Sequence, residues 1–172
     1  MIAIIGGALI IFVLAAVSKQ YQYKKYENPS AGFSIKYPAA WTYKENQFGA
    51  NVIFLSPLEN KLDVIQENVN IVVQNLEKKT TLNQYTEIAI LQLRAVFKEN
   101  VQILESGPDY FMGMPAFKIV YLGKGPEYDF KYMHIWTING PKAYQLTYVA
   151  LPSTYDKYWG KIQKMINSFQ AL

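Results

Sequence analysis

Apolar and polar residues alternate through one short run after another in this chain, and only two windows switch to helical spacing. A period of two is that of a half-buried strand, and a period near 3.6 is that of an amphipathic helix. The alternation is plainest at Phe33, Ile35 and Tyr37, which are separated by Ser34 and Lys36. Pro29 and Gly32 mark a tight turn ahead of this run. Pro38 has no N–H to give to a ladder, so the strand stops there. Trp41 and Tyr43 begin a second strand after a short turn. Val52 to Ser56 reads as a third, closed by Pro57, and Val69, Ile71 and Val73 share one side of a fourth that reaches about Leu76. The polar segment from Glu59 to Glu67 is a loop between them.

The first helical window carries Leu82, Tyr85, Ala89, Leu93 and Val96, with Ile88 and Leu91 widening the apolar face. Thr81 and Gln84 make a capping box at its start, and it ends near Lys98–Asn100. Strands then resume at Val101 to Glu105, Asp109 to Met112, Ala116 to Leu122, Lys131 to Ile138 and Lys142 to Ala150. Asn139-Gly140 is the strongest hairpin signal in the chain. Pro152 and Ser153 open a last helix with Asp156 as a capping partner. Tyr155, Tyr158, Trp159, Ile162, Met165, Ile166 and Phe169 form its broad apolar side. Strands, helix, strands, helix is the order of an α+β domain, an antiparallel sheet packed by helices.

Ahead of this domain, Ile2 to Val17 is unbroken apolar sequence. As a helix it covers ~24 Å, a short span of a hydrocarbon core ~30 Å thick. Residues 1–20 are therefore expected to be a transmembrane anchor, 21–27 a juxtamembrane linker and 28–172 the folded domain. The anchor places residues 2–17 in the lipid bilayer, and Tyr21, Tyr23 and Tyr26 follow at headgroup level as an aromatic belt. Ala3, Gly6 and Gly7 present a small-residue face on which a second membrane helix can pack. Lys19, Lys24 and Lys25 follow the span, and the positive-inside rule reads them as cytoplasmic. The secretory-like start and the absence of Cys favour the extracytoplasmic face, which is the expectation adopted.

Composition excludes several chemistries. Among 172 residues there is no Cys, which removes disulfides, thiolate nucleophiles, iron–sulfur clusters and Cys-zinc sites. The charge of +4 is spread along the chain without a basic run, so no nucleic-acid partner is expected. His134 is the single histidine, on a strand beside Tyr132 and Trp136, and reads as structural; no metal or other cofactor is expected. No Gly-x-Ser-x-Gly elbow supports a hydrolase. Glu59, Asp63 and Glu67 would align as hard-cation ligands only if their segment were helical. Two candidate contact surfaces remain: the lysine stripe Lys157, Lys161 and Lys164 on the last helix, and the loop with Tyr128 and Tyr132.

The opening Tyr26-Glu-Asn-Pro-Ser-Ala-Gly-Phe-Ser-Ile-Lys-Tyr-Pro-Ala-Ala-Trp41 resembles the start of PsbP-like domains. Ala143-Tyr-Gln-Leu-Thr-Tyr-Val-Ala150, the helix ending Met165-Ile-Asn-Ser-Phe169 and the Gly113-Met-Pro-Ala116 turn extend the resemblance over about residues 26–171. The resemblance implies an αβα sandwich around an antiparallel sheet, the PsbP/Mog1-like fold. It also implies a non-enzymatic accessory subunit that docks on and stabilises or helps assemble an integral membrane protein complex. A redox enzyme of the photosystem or ammonia-monooxygenase type is the kind of partner it suggests. The competing expectation is an extracytoplasmic domain that binds a small molecule or metal ion, with a hydrolase third.

Overall fold

The computed structural model describes residues 22–172; the expected anchor at 1–20 and the helix-packing face of Ala3, Gly6 and Gly7 lie outside them. Strand β2 (Phe33–Pro38) ends at Pro38 as its missing N–H requires. It lies between β1 (Tyr23–Asn28) and the short C-terminal β10 (Gln170–Ala171) in a three-stranded antiparallel sheet. Within the expected linker 21–27, residues 23–27 are therefore strand. The run Tyr23–Asn28 pairs residue by residue with β2, because Tyr26 has a core to enter: it is 5% exposed and packs edge-on to Phe54 at 5.5 Å. That burial also removes Tyr26 from any aromatic belt.

The larger sheet has seven antiparallel strands in the order β3-β4-β5-β9-β8-β7-β6. They are β3 (Thr42–Gln47), β4 (Ala50–Leu55), β5 (Asn68–Asn75), β6 (Val101–Phe111), β7 (Met114–Lys124), β8 (Asp129–Asn139) and β9 (Lys142–Ala150). The two separate strands expected over 101–112 are one, β6, with a bulge between Ile103 and Glu105. β6 is an edge strand, so Pro108 sits in it without depriving an outer neighbour of a donor.

Each side of the seven-stranded sheet is covered differently. On one side lie helix α2 (Tyr155–Ser168) and the three-stranded sheet. Tyr155, Tyr158, Ile162 and Met165 of α2 join Phe33, Ile35, Phe54, Ile71, Leu146 and Tyr148 in the main core. On the other side lies helix α1 (Leu82–Phe97) alone, with a smaller cluster of Tyr85, Ile119, Tyr121, Trp136 and Ala143 beneath it. The expected capping box is present, Thr81 and Gln84 each bonding the other's backbone N–H. Gly123 lets α1 close down at its far end, since a Cβ there would run into the Phe97 ring. The start of α2 departs from expectation. Its N-cap is Thr154 without a side-chain bond, and Asp156 instead points at Lys131, 3.9 Å away. No helix among the described residues is long and apolar enough to cross a membrane.

Candidate functional site

The α1 side of the sheet is where structure outruns what stability needs. Trp136 on β8 is 1% exposed, and its indole N–H donates to Thr86 Oγ1 of α1 at 2.9 Å. Leu82, Ala89, Leu93 and Phe97 complete the contact. A single helix covers only the strands below it, β7, β8 and the near part of β9. The row Ile53, Asn70, Thr147, His134 runs across four neighbouring strands on the same side. Most of it remains open as a trough of about 480 Å³, bounded by Phe48 and Leu55 at one side and His134 and Gln145 at the other.

Three features of this side are unusual. First, Ile88 is 52% exposed and Leu91 67% exposed. They were expected to widen the buried face of α1. At 100° per residue Leu91 falls about 160° from Ala89 and Leu93, nearly opposite the buried stripe, while Ile88 lies on the flank about 60° beyond Tyr85, and the sheet beneath reaches neither. Val96, also expected inside, is exposed at the helix end. Second, Phe48 is 96% exposed. It shares with Gly49 a two-residue loop between β3 and β4 in which both residues have positive φ, 52° and 79°. Asn-Gly is the usual occupant of such a turn, and a bulky residue in the left-handed region costs about 1–2 kcal/mol. Sequence reasoning passed over Phe48, although Phe-Gly between two alternating runs was the available signal.

Third, a polar chain borders the trough. His134 Nε2 lies 3.0 Å from the Gln145 side-chain oxygen, the Gln145 amide donates to the Tyr85 hydroxyl, and that hydroxyl donates to Gln74 Oε1 at 3.1 Å. An amide oxygen only accepts, so the His134 proton sits on Nε2. Burial disfavours the imidazolium more than the Gln145 bond favours it, and the pKa is pushed down to about 4. In the window between about 6.5 and about 4 the unfolded chain binds the proton and the folded chain does not. Stability is thus complete above the upper limit and falls as pH drops through the window. Denaturant titrations at about pH 7 and pH 5 are expected to show His134→Gln losing less stability than the parent, by about 1–2 kcal/mol.

The other expected site residues are dispersed. Tyr132 stacks on Tyr121 at 4.7 Å and meets the Phe97 ring, so it belongs to the packing under α1 and does not join Tyr128 in one exposed surface. Burial raises its hydroxyl pKa. Tyr128 is 41% exposed in the β7–β8 connection. Most tyrosines are core: Tyr26, Tyr37, Tyr85, Tyr121, Tyr144, Tyr148, Tyr155 and Tyr158 are buried. Lys157, Lys161 and Lys164 are exposed but not equivalent. Lys157 pairs with Glu59 at 2.5 Å, which also accepts from the Tyr158 hydroxyl, and these contacts hold the Glu59 carboxyl below the usual carboxylate range. Lys161 lies over the Tyr158 ring at 4.8 Å, and Lys164 over Tyr23 at 5.6 Å.

The Glu59–Glu67 segment is not helical, and its three acids do not converge. Asp63 accepts backbone N–H groups of Glu59 and Ile65, while Glu67 is buried against the Ser56 hydroxyl at 2.8 Å. Among the described residues no group of three or more His, Asp or Glu is placed to hold a metal ion.

The PsbP family model matches residues 21–171. The chain belongs to the PsbP family. The match takes in β1, in keeping with the pairing of Tyr23–Asn28. The solution structure of cyanobacterial PsbP from Synechocystis shares this PsbP-family fold at TM-score 0.66 and 15% identity, covering 88% of this chain and 94% of that one. A protein described as LpqN, involved in cell envelope biogenesis of Mycobacterium tuberculosis, follows it at TM-score 0.60 and 10% identity, covering 91% and 95%. A Pseudomonas aeruginosa protein of unknown function, described as a putative regulator, matches at TM-score 0.53 and 13% identity, covering 83% and 94%. At these identities the likeness concerns fold alone. No curated protein matches the chain.

Proposed function

We propose that this PsbP-family chain is a membrane-tethered, non-catalytic accessory subunit whose α1 side docks on an integral membrane protein complex. The observation that carries this reading is the exposed pair Ile88, on the flank of α1, and Leu91, on its outer side, next to a trough with Phe48 held exposed on a strained turn. Apolar side chains placed outward at these positions do nothing for the isolated fold, and a partner that covers them explains their presence. A specific interface needs about 800 Å² from each partner, which the outer side of α1 and the adjoining trough together are suited to supply. The tether is the apolar run Ile2–Val17, with the domain on the extracytoplasmic side.

A second reading has one observation in its favour. The His134–Gln145–Tyr85–Gln74 chain borders the trough, as the few polar groups of a small-molecule site would. One experiment separates the two. The tagged full-length chain, extracted from its native membranes in mild detergent, is expected to bring a defined set of integral membrane proteins with it. Recovery of the chain alone, with a small molecule retained in stoichiometric amount, would support the second reading instead.

A further inference from the structure

A groove of about 860 Å³ lies between the three-stranded sheet and the end of α2, away from α1. Tyr23, Lys25, Lys36 and Lys164 line it, and among the described residues no carboxylate does. Lys25 and Lys36 stand directly opposite each other across β1 and β2. Alternation puts both on the side of Tyr23, away from the buried Tyr26. Like charges facing each other across a ladder destabilise it. Lys25 is relieved in part by Glu27 on its own strand, while Lys36 and Lys164 have no ion-pair partner among the described residues. Lys164 closes the third side, its ammonium 5.6 Å from the centre of the Tyr23 ring. Three exposed ammonium groups around one groove, two of them held in mutual repulsion, form a surface suited to an anion.

The position of the groove in the chain says which anion. It opens at Tyr23, the first residue of β1, and only residues 18–22 separate Tyr23 from the last apolar residue of the run, Val17. Five residues span at most about 18 Å when fully extended. The headgroup layer occupies roughly 5–7 Å of that distance, and the Debye length adds about 8 Å of electrostatic reach. Even at full stretch the Tyr23 end stands only about 3–5 Å beyond one Debye length from the headgroups, and any less extended course of these residues brings the groove within their reach.

We propose that the Lys25, Lys36 and Lys164 groove rests on the bilayer and receives the phosphodiester headgroups of anionic lipids. The proposal depends on the tether of the preceding reading. It orients the domain, with the groove facing lipid and the α1 side left free for a protein neighbour.

The test uses the full-length chain in vesicles of phosphatidylcholine, alone or mixed with phosphatidylglycerol. Pulse acetylation with mass spectrometry reads each lysine. In the anionic vesicles Lys25, Lys36 and Lys164 are expected to react about fivefold more slowly, in line with the attraction of a surface lysine to an anionic membrane. The protection should fade at high salt, while Lys78, Lys79 and Lys98 react alike in both lipids. Equal rates in the two vesicle types, or slowing spread evenly over all six lysines, would overturn the proposal. So would equal protection by inorganic phosphate in neutral vesicles, which identifies a small-anion site, or protection in native membranes alone, which identifies an acidic protein. Flotation with neutral vesicles reads the tether by itself. A chain that floats there but shows no selective protection retains the tether and loses the groove, and one that fails to float loses both.

Discussion

A full-length chain carrying Ile88→Asp and Leu91→Asp is expected to fold as stably as its parent, within about 1 kcal/mol, and to lose its membrane partner. The fold has little stake in either side chain, since both are more than half exposed. Exposed substitutions cost within about 0.5 kcal/mol each, and aspartate adds a few tenths for its weaker helix propensity. The interface has far more at stake. Burying a leucine or isoleucine side chain is worth about 1.5–3 kcal/mol, and a buried unpaired carboxylate adds a penalty of its own. The two changes together are expected to weaken association by at least about 100-fold. Thermal denaturation establishes the first half and co-purification from solubilised membranes the second. A double variant that keeps its partner would remove α1 from the interface.

The second large effect concerns what holds α1 in place. Trp136→Ala is expected to destabilise the domain by about 3–5 kcal/mol, the usual range for removing a buried tryptophan. Trp136 is the largest side chain under α1, and its N–H bond to Thr86 Oγ1 ties the helix to the central strands. Thr86→Val alone is expected to cost about 1–3 kcal/mol, because it leaves the indole N–H buried without an acceptor. In the Trp136→Ala background the same change should cost much less, since its partner is already gone. Hydrogen exchange should then show α1 opening well before β5, β8 and β9. Main-core residues such as Leu146 and Ile162 sit on the far side of the sheet and do not depend on Trp136. Equal loss of protection on both sides would show that the two cores unfold as one.

Period, turn chemistry and caps carried most of the strand and helix assignments. Pro38 stopped β2, Asn139-Gly140 turned β8 into β9, and Thr81 with Gln84 started α1, because each acts on backbone within a few residues of itself. The failures have a common cause in tertiary context. Tyr23–Asn28 mixes lysine with tyrosine and resembles a membrane flank until β2 is there to pair with it. Gly107-Pro108 breaks a strand pattern on paper, yet an edge strand accommodates it. Ile88 borders the inward stripe through Tyr85 and is distinguished from it only by where the sheet ends, while Leu91 falls nearly opposite Leu82 and Leu93, a placement the 100° step already implies. Most of the tyrosines are core, because a sheet packed on both sides has room for large rings whose hydroxyls reach partners such as Glu45, Gln74 and the Tyr155 carbonyl. Phe48-Gly49 offered a turn signal, but that the turn holds the Phe48 ring in solvent follows only from the structure.

The most direct measurement places a photo-crosslinking amino acid at position 91 of the full-length chain in its native membrane, with a second chain labelled at position 163 on the outer side of α2 as a control. Gln163 is exposed on the opposite layer. Irradiation is expected to join position 91 to an integral membrane protein in high yield and to leave position 163 without that product. Crosslinking from 163 but not 91, or from neither while the chain remains in the membrane, would contradict docking through α1.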